Sequence, residues 1–211
     1  PEPVGAFLAK RSRWQQRQDA DPYVAEARRA GYRSRAAFKL VQLDDRDGFL
    51  REGAVVVDLG AAPGGWLQVA RQRVGATGRV IGIDRLPMDP VAGTEFLQAD
   101  FATDEGLLHL RERLAGAPVD VVLSDMAPEL SGIKVADQAR AIELCDLAVE
   151  FAREVLRPGG TLVMKAFQGE GFDELLRALR GEYDSAAARK PKASRGQSAE
   201  QYLVARGFRG N

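Results

Sequence analysis

The chain has 211 residues, 45% of them hydrophobic, enough apolar material for one substantial core. Thirty basic and thirty acidic residues cancel to a formal net charge of zero, and a lone cysteine excludes an internal disulfide. No apolar run reaches the length of a membrane span and the N-terminus lacks a signal-peptide core, so a cytoplasmic protein without a membrane partner is expected.

The neutral total hides a segregation. Residues 1–40 hold nine Lys/Arg against four acids and residues 185–211 hold six against one, while the middle holds fifteen against twenty-five. Two basic ends on an acidic body make one positive face if the fold brings them together.

Residues 1–30 read as a basic N-terminal extension, helical or mobile, and 31–211 as the main domain. Trp14 and Tyr23 in the extension are aromatic residues able to stack on a base, although a packing role is the commoner use. Short β-branched runs then alternate with amphipathic stretches. Strands are expected at "AVVVDLG" (54–60), "RVIGID" (79–84), "EFLQAD" (95–100), "VDVVLSD" (119–125) and "TLVMKAF" (161–167). Helices are expected at "GWLQVARQRV", "EGLLHLRERLA", "ADQARAIELCDLAVEFAREVL" and "GFDELLRALRG", with "RPGG" (157–160) stopping the long helix. After these, "YDSAAARK" and "EQYLVARGF" are joined by a polar loop too short for a crossover helix, so they should pair antiparallel. The expected fold class is α/β: a Rossmann-like, seven-stranded, mostly parallel sheet with helices on both faces and an antiparallel C-terminal hairpin.

The turn in "DLGAAPGGW" (58–66) joins the first strand to a helix, where nucleotide-like ligands bind. A dinucleotide site wants G-x-G-x-x-G, but here Ala62 stands where the second glycine belongs, which disfavours a pyrophosphate. Further acids end successive strands at Asp84, Asp100 and Asp125. Carboxylates in those places suit a ligand with hydroxyls and positive charge. They can accept ribose hydroxyls, an adenine amino group and an ammonium in turn, which fits S-adenosylmethionine better than NAD.

Together "GYRSRAAFKL", "DLGAAPGGW", "SDMAPELSG", "KAFQGEGFDELL" and "SRGQSAEQYLVARGF" resemble the FtsJ/RrmJ family of RNA ribose 2′-O-methyltransferases, in order, from about residue 31 to 208. The likeness is strongest to its bacterial branch, which methylates a uridine of large-subunit ribosomal RNA. Glu129 departs from the pattern, since the family often has Asn there, and Ala replaces a bulkier residue at position 37 or 166. The resemblance implies the fold of an S-adenosylmethionine-dependent methyltransferase and a catalytic tetrad of Lys39, Asp125, Lys165 and Glu200. It implies cofactor residues at Gly60, Pro63, Gly64, Gly65, Trp66, Asp84, Asp100 and Asp125. Ribosomal RNA, free or within the assembled large subunit, is the implied partner, and a monomer is expected. Relatives with similar motifs act on transfer RNA or messenger RNA caps, and a non-catalytic RNA-binding protein would keep the same fold.

In that scheme Lys165 orients the ribose 2′-hydroxyl and takes its proton, Asp125 and Glu200 hold the lysine, and Lys39 steadies the developing charge. A lysine serves as a base only when neutral, a demand of roughly three pKa units, or about 4 kcal/mol. No metal is required. Arg33, Arg35, Arg189, Lys190, Lys192 and Arg195 are candidate phosphate contacts. Cys145 has the spacing of a packed core thiol, His109 of a solvated side chain, and Asp120, Glu143 and Glu150 of turn or helix-face residues without a chemical role.

Overall fold

A computed structural model describes residues 21–210. Trp14 lies outside them, as does most of the expected extension. Helix α1 (Pro22–Ala30) starts where the Asp21 side chain accepts the Tyr23 N–H and ends at Gly31, whose φ of 75° suits glycine. It lies on α2 (Ala36–Asp47), with the rings of Tyr23 and Phe38 5.7 Å apart and the Gln42 amide donating to the Tyr23 hydroxyl. Tyr23 is thus a packing residue.

The remaining elements follow in alternation: β1 (Val55–Leu59), α3 (Gly65–Val74), β2 (Arg79–Asp84), β3 (Glu95–Gln98), α4 (Asp104–Leu114), β4 (Val119–Ser124) and α5 (Lys134–Val155). Then come β5 (Leu156–Phe167), α6 (Phe172–Glu182), β6 (Tyr183–Arg189) and β7 (Glu200–Phe208). The seven strands form one sheet in the order β3-β2-β1-β4-β5-β7-β6. All neighbours are parallel except β7, which runs antiparallel to both β5 and β6. The expected fold class is therefore the one observed. One boundary differs: β5 begins at Leu156 and takes in "RPGG", where glycine freedom and the fixed proline φ allow an irregular lead-in. The β4–β5 register accordingly shifts between Val119 and Val121.

Two apolar clusters flank the sheet. One joins α4, α5 and α6 to it through residues such as Leu110, Phe151 and Leu179; the other joins α2 and α3 through Leu40, Trp66 and Leu67. Strand order reverses between β1 and β4, so a crevice opens at their carboxyl ends. Gly82 in β2 keeps the glycine turn close to the sheet. A Cβ there would stand 2.7 Å from the Ala61 Cβ and 2.9 Å from Leu67 Cδ1. Gly82→Ala is expected to lower the unfolding free energy by about 1–3 kcal/mol through overpacking. An unchanged urea midpoint would mean that α3 can lift off the sheet freely. No helix among the described residues is long and apolar enough to cross a membrane.

Candidate active site

Four distant parts of the chain meet at the carboxyl edge of β4 and β5. Lys39 comes from α2, Asp125 directly follows β4, Lys165 lies near the end of β5, and Glu200 opens β7. Antiparallel pairing puts Lys165 opposite Tyr202 and Phe167 opposite Glu200. Residues two apart on a strand share a face, so Lys165, Tyr202 and Glu200 line up towards α2.

The contacts form one network. Lys165 Nζ lies 3.1 Å from Asp125 Oδ1, donates to the Asp125 carbonyl at 2.9 Å, and stands 4.0 Å from Glu200 Oε2. Lys39 Nζ donates to Glu200 Oε1 at 2.7 Å, and the Ser194 hydroxyl donates to the same oxygen at 2.8 Å. Lys39 and Glu200 are both buried. Burial alone would push the Glu200 carboxyl up, but Lys39, Lys165 and Ser194 outweigh it and hold the group below the usual carboxylate range. A buried pair of this kind offsets desolvation with attraction, so it fixes geometry more than it adds stability.

Tyr202 and Ser194 belong to this network although neither was singled out in the sequence. The Tyr202 hydroxyl donates to Asp125 Oδ1 at 2.6 Å, and Lys39 Nζ sits 5.6 Å above its ring centre. Burial first, then Asp125 and Glu200, push the phenol well above its usual range, so it stays a donor. Strand alternation places Tyr202 beside Glu200 and was the available signal. Ser194 sits in a loop whose polar composition hides its burial.

Beside the network lies a crevice of about 560 Å³. Of the expected cofactor residues, Gly60, Asp84, Asp100 and Asp125 line it, together with Leu86, Phe101 and Met126. Pro63, Gly64, Gly65 and Trp66 are not part of that lining. Trp66 is buried, donates its indole N–H to the Ala36 carbonyl at 2.8 Å, and packs on Tyr202 with ring centres 5.7 Å apart. Its place is to hold the start of α2 against the network. Asp84 ties the turn down, accepting the Ala62 N–H at 2.9 Å on one oxygen and the Leu86 N–H at 2.8 Å on the other. Asp100 accepts the Ala102 N–H at 2.9 Å.

Behind the turn, Asp58 in β1 is fully buried, and neither carboxylate oxygen has a hydrogen-bond partner among the described residues. Burial, then the charges of Asp125 and Asp84, push its carboxyl well above the usual range. Glu129 pairs with Arg85 across the mouth of the crevice, both side chains being largely exposed. Glu143, given no role in the sequence, lines the crevice from α5. Asp120 is a strand residue of β4 that accepts the Val55 N–H and pairs with Arg157. Cys145 is buried and its thiol, pushed up to about 12 by burial and Asp146, donates to the Lys165 carbonyl at 3.3 Å. His109 is exposed on α4.

The described parts of the two basic ends meet here, but four of the six expected phosphate contacts are engaged inside the protein. Arg35 pairs with Asp21 at 2.8 Å and donates to the Ala193 carbonyl at 3.0 Å. Arg189 makes two bonds of 2.9 Å to Asp47, and Lys190 donates to the carbonyls of Ser198 and Glu200. Arg33 donates to three carbonyls. Lys192 and Arg195 remain exposed, Arg195 with Asp21 3.9 Å away. The reason is local: arginine's forked donors find nearby carbonyls and acids that a reading of charge alone does not place.

Relatives of known name resemble this chain over most of its length. A Ribosomal RNA large subunit methyltransferase E from Azoarcus sp. is 58% identical over 191 residues, covering 90% of this chain and 93% of its own. Another of the same name from Pseudomonas aeruginosa is 50% identical, covering 94% and 96%. Among solved structures, a Plasmodium falciparum chain described as a ribosomal RNA methyltransferase superposes with a TM-score of 0.76 at 32% identity, covering 85% of this chain and all of that one. The family model for FtsJ-like methyltransferases matches residues 32–208, a span that takes in the crevice and all four members of the tetrad, and the chain belongs to that family.

Proposed function

We propose that this protein is an S-adenosylmethionine-dependent 2′-O-methyltransferase of a ribose, a uridine's, in large-subunit ribosomal RNA. The observation that carries the reading is the network of hydrogen bonds and ion pairs joining Lys39, Asp125, Lys165 and Glu200 beside an acid-lined crevice. The names borne by the relatives at 58% and 50% identity support ribosomal RNA as the substrate class. In this reading residues 31–211 are the methyltransferase domain and 1–30 a basic extension.

The crevice fits the cofactor. Its volume lies in the range of small-molecule sites, and its apolar walls carry a few convergent acids. Each Asp84 oxygen accepts one backbone bond and keeps a lone pair for a ribose hydroxyl. In this reading Asp100 takes an adenine amino group and Asp125 an ammonium, with Gly60, Pro63, Gly64, Gly65 and Trp66 shaping or backing the turn. When bound, S-adenosylmethionine supplies a methyl group activated by its positively charged sulfur.

Positioning and electrostatics then carry the catalysis. Lys165, in its neutral form, holds the acceptor 2′-hydroxyl through Nζ and takes its proton as the oxygen bonds to the methyl carbon and the carbon–sulfur bond breaks. Asp125 and Glu200 hold Lys165 in place, Tyr202 holds Asp125, and Lys39 steadies the negative charge that develops on the oxygen. Lys192 and Arg195 offer phosphate contacts on the loop that delivers Ser194 to the network.

The test is tritiated methyl transfer onto large ribosomal subunits, free ribosomal RNA and transfer RNA, followed by alkaline hydrolysis. A 2′-O-methyl group removes the hydroxyl that attacks the adjoining phosphodiester, so label is expected in an alkali-resistant dinucleotide from large-subunit RNA. Label released in mononucleotides would place the methyl on a base and overturn the ribose assignment. Label on transfer RNA alone would overturn the substrate.

A further inference from the structure

We propose that Arg33, which its charge and position offer as an RNA phosphate contact, is instead the positioning residue that fixes the glycine turn for the methyl donor. The inference rests on the function proposed above. Its basis is the destination of the residue's backbone N–H and of both terminal guanidinium nitrogens. The Arg33 N–H donates to Gln68 Oε1 at 2.9 Å, and Gln68 Nε2 donates back to the Gly31 carbonyl at 2.9 Å, so the segment entering α2 is tied to α3. The guanidinium donates to the Pro63 carbonyl at 3.2 Å, to the Pro90 carbonyl at 2.6 Å, and to the Asp89 carbonyl. One side chain therefore joins the glycine turn to the connection between β2 and β3.

Packing agrees with the hydrogen bonds. Gly64 holds a φ of 108°, and a Cβ there would lie 3.1 Å from Arg33 Nη1 and 3.0 Å from Val91 Cγ2. The turn is thus pressed between Arg33 and the β2–β3 connection at Gly64, while Asp84 grips it from the crevice side at Ala62. Two fasteners, one at Ala62 and one at Pro63 and Gly64, set the height of Gly60 and Ala62, the part of the turn that lines the crevice. A planar fork suits three carbonyls arrayed around it; an ammonium on a flexible stem does not. The three acceptors are near the surface, so loss of the fork lets water replace it and relaxes the turn without opening the core.

This separates two roles that both use a positive charge. As a positioning residue, Arg33 governs donor affinity through shape, and Arg33→Lys is no better than Arg33→Ala. As a phosphate contact, it governs RNA affinity through charge, and lysine rescues. Calorimetry with S-adenosylmethionine, and RNA binding across a salt series, are measured for wild type, Arg33→Ala and Arg33→Lys, with thermal melts to show that each is folded. The expected result is a tenfold or greater rise in the donor Kd for both variants, appearing in turnover as KM for the donor rather than kcat, with the salt slope of RNA binding unchanged. Gln68→Leu should raise the same constant by a smaller factor. A wild-type donor Kd in Arg33→Ala, or restored donor affinity in Arg33→Lys, overturns the proposal, as does a salt slope that falls by about one while donor binding holds. Failure of the wild-type protein itself to bind S-adenosylmethionine overturns the underlying function, and is read separately from the variants.

Discussion

Lys165→Ala is expected to lower methyl transfer at saturating donor and RNA by about 10²–10⁴-fold while leaving S-adenosylmethionine affinity within a few fold of wild type. In the proposed mechanism the amine meets the incoming hydroxyl; it is held by the Asp125 carboxylate at 3.1 Å and its carbonyl at 2.9 Å. Truncation removes the hydroxyl's partner but leaves Asp84, Asp100 and the glycine turn untouched, so the effect belongs in kcat. Some loss is expected to be shared with neighbours, because Glu200 would keep only Lys39 and Ser194, and Asp125 only Tyr202, of their present partners in the network. Single-turnover rates with preformed donor complex are the measurement. Turnover within threefold of wild type, with donor bound, would remove Lys165 from the chemistry and leave proximity alone to account for the rate.

The sequence carried the sheet because its signals are local. "VVVDL" and "VDVVLS" are β-branched runs of strand length, and the short polar link between 190 and 200 leaves no room for anything but a hairpin. The tetrad was legible through motif resemblance, since spacing alone does not bring residue 39 to residue 200. What escaped were partner choices decided in three dimensions. Six basic residues looked alike as phosphate contacts, yet Asp47 lies where α2 ends against β6 and claims Arg189. Asp21, by capping α1, lands beside Arg35. Trp66 reads as a ligand-facing aromatic after a glycine turn, but helix periodicity turns it towards α2 and Tyr202. Tyr202 was within reach of strand alternation; Ser194 was not, because only the docking of its loop on Gln42 and Arg35 carries it inside.

Asp58 gives the second large expectation, a pH dependence of stability that one substitution removes. Its carboxyl is fully buried, has no hydrogen-bond donor, and faces the charges of Asp125 and Asp84, so the folded-state pKa lies well above the unfolded value. For a raised pKa, the contribution to stability is fully present below the unfolded value near 4 and is lost as pH rises towards the folded one. Over that window the unfolded chain has released a proton that the native state retains, and the loss runs at about 1.4 kcal/mol per pH unit. Asp58→Asn keeps the shape and cannot titrate. The difference in unfolding free energy, wild type minus variant, is therefore expected to fall as pH rises above 4 in urea titrations. Parallel curves would mean that Asp58 ionises normally in the fold. Cofactor binding adds an independent arm. A positively charged donor beside the turn favours the ionised carboxylate, so S-adenosylmethionine should bind more tightly to the wild-type protein as pH rises, and Asp58→Asn should flatten that trend. Equal slopes for the two proteins would place the donor's positive charge beyond the reach of Asp58.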